Sequence, residues 1–448
     1  MKKSVRVIAA ALCLSILLSV AAFAGSSFAF TQEERDKTAA DWDKIQSDDT
    51  VITLSVGAEP GEIGFSWLSG LFDGVPEFRY SESEDMKNAE KCEVTVRPTL
   101  WLKQSDKVTL SGLEEGRTYW YSYTEKGVWS EPQSFTVQPS DKYKIIFTSD
   151  AQIGRSGDFR DEDVLINDTC GWQRTVRLAA ARYSDAAFII SAGDQTEKGY
   201  SLKQYKAFLS PEKLRNYPLV NVIGNHDFYF PSYTYYSNNP NQVKEHLAMP
   251  AGYGFYFVYG DALYIVMNSN DFNAADQDRL MRAAVTAYPE AKWRIAVLHH
   301  SVYSANISDD DFSFSRSVFA PLFDSYNVDL VLSGHEHLYN CTYPIYNGEL
   351  DENGTVYLQA SSASGSNFST AKDSAVKYSR FILKENVATY TGIEFDGDEI
   401  TINTYRTDTD ELIDSASIHS RERKAGSNPL KFFLSMVVSY IKTIISMF

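Results

Sequence analysis

Short apolar runs in this chain stop repeatedly at polar clusters of one kind. Ile145-Ile146-Phe147 leads to Asp150 and Gln152, and Phe188-Ile189-Ile190 leads to Gly193-Asp194. Val220 to Ile223 leads to Gly224-Asn225-His226-Asp227, Ile295 to Leu298 to His299-His300, and Leu330 to Leu332 to Gly334-His335-Glu336-His337. Runs this short, bounded by Gly and polar residues, predict buried strands. The pattern Thr175 to Tyr183 predicts a helix between the first two, and Gln277 to Ala287 predicts another. Alternation of Tyr390, Ile393, Phe395, Ile400, Ile402 and Tyr405 within 386–418 predicts closing strands. Open sheets carry their sites just past the carboxyl ends of the strands, so the five clusters can converge on one rim.

Residues 49–138 have a different rhythm. Val51-Ile52-Leu54-Val56, Ile63-Phe65-Trp67, Val94-Val96 and Val108-Leu110 alternate between Gly, Pro, Ser and Glu clusters and predict an all-β N-terminal sandwich. The run from Leu113 to Tyr123 resembles the late-strand signature of fibronectin type III domains, which implies that the Tyr119 hydroxyl bonds back to the chain. Pro139-Ser140-Asp141 reads as a linker, and a large α/β domain follows from 142 to 420. Ahead of the sandwich, Thr31 to Ser47 predicts a helical stretch.

The chain has 448 residues, 44% hydrophobic and 14% aromatic, enough for two or three cores and too apolar for disorder. A formal net charge of -17 gives no basic footprint, so no binding of a nucleic acid duplex is expected. Lys2, Lys3 and Arg6 precede an apolar stretch from Val7 to Phe23, and Ala22-Phe23-Ala24 fits a cleavage pattern. Residues 1–24 therefore read as a signal peptide and the protein as secreted or extracellular. Cys92, Cys170 and Cys341 remain; an odd count is no disulfide framework, and a Cys170–Cys341 bridge competes with separate buried thiols. In residues 428–448 an amphipathic helix is expected, with Lys431, Ser435, Ser439, Lys442 and Ser446 on one stripe. Its apolar face needs cover, from the protein itself or from a peripheral membrane contact that would make the protein surface-associated.

The clusters name a chemistry. The two oxygens of Asp194 can hold two cations about 3.5–4 Å apart. Asn225 offers a neutral carbonyl oxygen. His335 and His337 lie two apart and share a face in an extended segment, so each can reach a different metal. His299 supplies another nitrogen, while His300 points away. Asp150 and Gln152 also share a face. His226 is placed to give a proton or hydrogen bond to substrate, with Asp227 orienting it. The aromatics Phe228, Tyr229, Phe230, Tyr233, Tyr235 and Tyr236 read either as a stacking wall for a leaving group or, by preference, as a cover over the sheet rim.

In order and spacing, Asp150-Ala151-Gln152, Gly193-Asp194, Gly224-Asn225-His226-Asp227, His299 and Gly334-His335-Glu336-His337 resemble the D-x-H, GD, GNH[DE], H and GHxH pattern of calcineurin-like metallophosphoesterases. The sandwich directly before them resembles the layout of purple acid phosphatases. The resemblance implies a four-layer domain with two central β-sheets flanked by helices. It also implies a binuclear centre of two divalent or mixed-valence ions (Fe, Mn or Zn) on Asp150, Gln152, Asp194, Asn225, His299, His335 and His337. The implied activity is hydrolysis of a small-molecule phosphate ester by attack of a metal-bound hydroxide. A phosphodiesterase or nucleotide hydrolase and a non-catalytic surface-binding protein are the alternatives. Two positions depart from the pattern. Gln152 stands for the usual His, and Glu197 stands where purple acid phosphatases carry an iron-binding Tyr, which suits a hard divalent pair better than a purple ferric site.

Overall fold

The computed structural model describes residues 28–246, 249–306, 313–372 and 377–421. The expected signal peptide and the expected helix at 428–448 lie outside the described residues. Among the described residues no helix is long and apolar enough to cross a membrane.

The strands expected before the polar clusters form two facing sheets. One runs in the order 219–221, 186–191, 142–148, 389–396, 399–406 and 412–419, with the first three strands parallel. The other places 262–266, 293–297, 330–333 and 356–359 side by side in parallel. Their inner faces share one core that includes Phe147, Phe188, Tyr264, Ile295 and Leu332. Across it, the Tyr143 and Tyr264 hydroxyls bond at 2.9 Å. Helices Glu162–Arg182 and Leu202–Phe208 cover the first sheet, and Ala274–Ala287 and Phe314–Ser325 cover the second. The result is helix, sheet, sheet, helix, because both sheets are apolar on both faces.

Helix Glu162–Arg182 is much longer than the expected Thr175–Tyr183. Its first half hides behind polar residues: Asp161 caps it by accepting the Asp163 N–H, and Asp168, Thr169 and Thr175 are buried. Gly171 within it lies so close to the Ser364 carbonyl that any Cβ would overlap. The stretch expected over Thr31–Ser47 is two helices, Gln32–Ala40 and Trp42–Ser47.

The N-terminal sandwich packs sheet 53–56, 63–70, 103–110, 95–98 against a second sheet centred on 118–125. Phe65, Phe78, Tyr121 and Phe135 stack between them at 4.7–6.2 Å. The corner tyrosine forms: Tyr119 Oη accepts the Glu114 N–H at 2.9 Å. Cys92, Cys170 and Cys341 are all free thiols, so the bridge between the last two is absent.

One buried acid in the sandwich gives a pH test. Asp106 is fully buried and accepts from Ser69 Oγ at 2.5 Å, while its Oδ1 has no partner. Burial pushes its carboxyl from 3.8 up to about 7, against the pull of the Ser69 hydrogen bond. The folded state therefore binds the proton more tightly than the unfolded state. Its contribution is present below about pH 3.8 and is lost as pH rises through about 7. Asp106→Asn is expected to flatten that decline, so urea midpoints of the two proteins should diverge between pH 4 and 7 and run parallel above it.

Candidate metal centre

The polar clusters follow the carboxyl ends of strands from both sheets, and they meet. His299 sits at the junction. Its Nε2 is 3.2 Å from Asp194 Oδ2, 3.1 Å from Asn225 Oδ1 and 3.2 Å from His335 Nδ1. Ligand atoms of Asp194, His299 and His335 all lie within 4.8 Å of one another. The other side of the cluster is built on Asp150, whose Oδ1 is 3.7 Å from His337 Nε2. The main chain ties the two sides together: Gln152 N–H donates to the Asp194 carbonyl at 2.9 Å, and His335 N–H donates to Asp150 Oδ2 at 2.9 Å. The seven residues expected as ligands are thus brought to one place.

Sharp backbone turns make this possible. Asp150, Gln152, Asp194, His335 and His337 all sit at φ between 35° and 74°. A non-glycine residue there carries strain on the order of 1 kcal/mol or more, which persists only where its surroundings hold it. Gly334 supplies part of that holding, because a Cβ there would overlap Ser149 Oγ and the Asp150 carboxylate.

Charge is crowded here. Burial pushes the Asp150 carboxyl up to about 7; His299 opposes this and Asp194 adds to it. Burial and the Asp194 charge push Asp227 up to about 8. Burial works to raise Asp194 too, but the charge and hydrogen bond of His299, with His226, hold it below the ordinary carboxylate range. Burial lowers His335 to about 4 and His337 to about 3, keeping both neutral, the form in which imidazole ligates.

The donor set fits a cation. Asp150 Oδ1, Gln152 Oε1 and His337 Nδ1 are all buried without a hydrogen-bond partner. An orphaned buried polar group costs about 1–3 kcal/mol, so three among the expected ligands would remove much of a domain's roughly 5–15 kcal/mol of stability. Shared positive charge removes that cost. A cavity of about 730 Å³ lies elsewhere, between the N-terminal helices, the sandwich and helix Glu162–Arg182. None of the seven expected ligands lines it.

Asp227 does not orient His226. Its Oδ2 accepts the Gly224 N–H at 3.0 Å, which braces the loop. His226 Nδ1 lies 2.9 Å from the Glu197 carbonyl oxygen and 3.4 Å from Glu197 Oε2. Asp227 is fully buried under its own turn, with Oδ2 committed there. His226 N–H donates to Asp194 Oδ1 at 2.9 Å, and its Nε2 is 4.0 Å from Asp194 Oδ2. His300 packs its ring on His335 at 4.5 Å and meets Ser269 Oγ through Nδ1.

Sequence reasoning missed Glu197 as a hub. Its Oε2 accepts from Gln152 Nε2 at 3.1 Å and its Oε1 lies 3.0 Å from Lys198 Nζ. It also missed Asp168, whose Oδ2 accepts the consecutive N–H groups of Gly154, Arg155 and Ser156 at 2.7, 2.9 and 3.3 Å. The only hint was a Gly-containing loop whose amides needed an acceptor. Of the loop aromatics, Tyr233, Tyr235 and Tyr236 are buried as cover, and Trp101 of the sandwich packs on the last two. Tyr229 is 70% exposed and Phe230 pairs edge-on with Tyr200.

Residues 143–339 match the family model of calcineurin-like phosphoesterases, which supports a metal-dependent phosphoric ester hydrolase. Residues 50–137 match the N-terminal domain of purple acid phosphatases, so the chain is purple acid phosphatase-like in its layout. Among solved structures, a purple acid phosphatase isolated from yellow lupin (Lupinus luteus) seeds shares the fold, with 16% identity, 84% of this chain and 77% of that chain covered, and a TM-score of 0.67. GAP50, the anchor in the inner membrane complex of Plasmodium, aligns at 14% identity over 66% of this chain and 95% of its own, with a TM-score of 0.43. No curated protein matches the chain by sequence.

Gly224 tests the packing behind Asp194, since a Cβ there would overlap the Asp194 backbone nitrogen and carboxylate. Gly224→Ala should cost about 1–3 kcal/mol as an overpacked site and lower the metal bound per chain. Urea unfolding and elemental analysis of the same preparation read both.

Proposed function

We propose that this protein hydrolyses small-molecule phosphate esters at a two-metal centre. In this reading Asp150, Gln152, Asp194 and His337 hold one ion, and Asp194, Asn225, His299 and His335 hold the other. The observation that carries it is the convergence around buried Asp194 of the imidazoles of His299 and His335 and the amide of Asn225, from three other loops. Bound there, two divalent ions would activate water and neutralise charge on the phosphoryl group.

The chain's own residues do the rest. The Glu197 carbonyl accepts a hydrogen bond from His226 Nδ1–H, which leaves Nε2 turned toward Asp194 and the open side of the cluster. From there His226, as the imidazolium with its second proton on Nε2, donates that proton to the leaving oxygen or a hydrogen bond to a phosphoryl oxygen. Arg155, held by the Asp168-anchored loop and 41% exposed, puts a guanidinium 3.8 Å from Glu197 at the rim. In a chain of net charge -17 it is a local attraction for an anionic substrate. Tyr200, Tyr229 and Phe230 offer faces to an organic leaving group. We extend the proposal to a secreted protein, on the basic and apolar pattern of residues 1–24.

A paired experiment tests the reading. Asp194→Asn should lose at least one metal together with nearly all hydrolysis. His226→Ala should keep both metals and lose turnover by about a hundredfold to ten-thousandfold, more on a substrate with a poor leaving group than on one with a good leaving group. Full activity in Asp194→Asn removes the metal centre; metal loss in His226→Ala makes His226 a ligand.

Colour gives a second check. Glu197 cannot supply the tyrosinate-to-iron charge transfer of purple acid phosphatases. The protein loaded with iron should show no strong visible band, and a persistent purple band would contradict this ligand set.

A further inference from the structure

Two positions depart from the family pattern, and in the folded protein they touch. Gln152 Nε2 donates to Glu197 Oε2 at 3.1 Å. The contact is built in by the main chain. Residues 152–153 run beside 194–197 as a short parallel bridge, with Gln152 N–H on the Asp194 carbonyl, Ile153 N–H on the Gln195 carbonyl and Glu197 N–H on the Ile153 carbonyl. Both side chains are buried, at 1% and 9% exposure.

A glutamine amide has two ends of similar shape and opposite character: the nitrogen only donates and the oxygen only accepts. Only the oxygen can bind a cation. An amide free to flip would present the wrong end half the time. Here the nitrogen is committed to Glu197, and Oε1 is left buried with no hydrogen-bond partner. Glu197 itself is fully engaged: Oε1 meets Lys198 Nζ at 3.0 Å, Oε2 takes Gln152, and Arg155 Nη1 stands 3.8 Å away. Its charge is balanced from the solvent side, so it has no need of the metal.

We infer that Glu197 is a positioning residue for the metal centre: it grips the Gln152 amide by its nitrogen and so turns the carbonyl oxygen into the ligand position. The pair replaces a histidine ligand and a tyrosine ligand by one amide ligand and its holder. The inference rests on the two-metal reading above.

The test is a double-mutant cycle on metal binding, without turnover. Metal-free wild type, Gln152→Ala, Glu197→Ala and the double variant are titrated with Mn²⁺ by calorimetry. Groups that orient a ligand typically contribute about 10–100-fold in metal affinity, so Glu197→Ala should weaken one Mn²⁺ by that factor. The double variant should bind no more weakly than Gln152→Ala alone, because Glu197 acts only through the amide. Glu197→Gln keeps a carbonyl acceptor for Gln152 Nε2 and should recover most of the affinity, which also separates the effect from misfolding. Losses that multiply in the double variant would make Glu197 an independent ligand and overturn the inference. Unchanged affinity in Glu197→Ala would overturn it as well. Absence of any Mn²⁺ binding in wild type would instead overturn the two-metal reading on which it stands.

Discussion

A buried carboxylate surrounded by donors organises this protein. Asp194 is almost fully buried, yet it takes a backbone N–H from His226 and faces the imidazole of His299 at 3.2 Å. Taking a carboxylate out of water costs several kcal/mol unless positive charge replaces the solvent. The groups that meet it come from both sheets, since His299 and His335 follow strands of one and Asn225 and His226 follow a strand of the other. The facing sheets are therefore a consequence of the chemistry as much as a platform for it. The same demand explains the left-handed backbone at five of the converging residues: the chain bends out of its preferred conformations to aim side chains at one point.

The sandwich takes part in this at one remove. The segment directly after the Gly224-Asn225-His226-Asp227 turn is its docking seat. Thr53 Oγ1 and Ser105 Oγ donate to the carbonyls of Tyr236 and Tyr235 at 2.7 and 2.9 Å, and Lys107 Nζ donates to those of Thr234 and Ser237 at 2.8 and 2.6 Å. A loop that would otherwise expose four carbonyls is pinned from outside. The turn that carries Asn225 and His226 is then braced at Gly224 by Asp227, and the segment that follows it is pinned by the N-terminal domain.

Much of this was legible in the sequence, for physical reasons. Strands buried on both faces must be short, continuous apolar runs, so Ile145 to Phe147 and Leu330 to Leu332 announced themselves, and with them the clusters that follow. Tyr119 was legible because the corner needs a phenol at one fixed offset from an exposed turn. Side-chain partnership was not. Asp227 is adjacent to His226 in the chain, but neighbours in a tight turn point apart, and its acceptor went to Gly224. Glu197 was read as a missing tyrosine, since its bond to Gln152 crosses 45 residues. The first half of helix Glu162–Arg182 was hidden because its buried face mixes Leu165, Ile166 and Trp172 with Asp168 and Thr169, and Asp168 serves the 154–156 loop where an apolar stripe would continue.

Arg174 sits on that same helix and joins distant parts of the chain. One edge of its guanidinium meets both oxygens of Glu34 at 2.8 Å, and its Nε donates to the Thr407 carbonyl at 2.9 Å. A residue near the start of the described chain and one near its end thus share a single side chain. During synthesis the sandwich can close on its own, because all its strands precede residue 137. The helix Gln32–Ala40 has no such freedom. It must stay unseated while some hundred and forty further residues emerge, as its berth is the surface of helix Glu162–Arg182. Full closure of that berth waits for the last of the described strands, so the described fold is finished at both its ends at once.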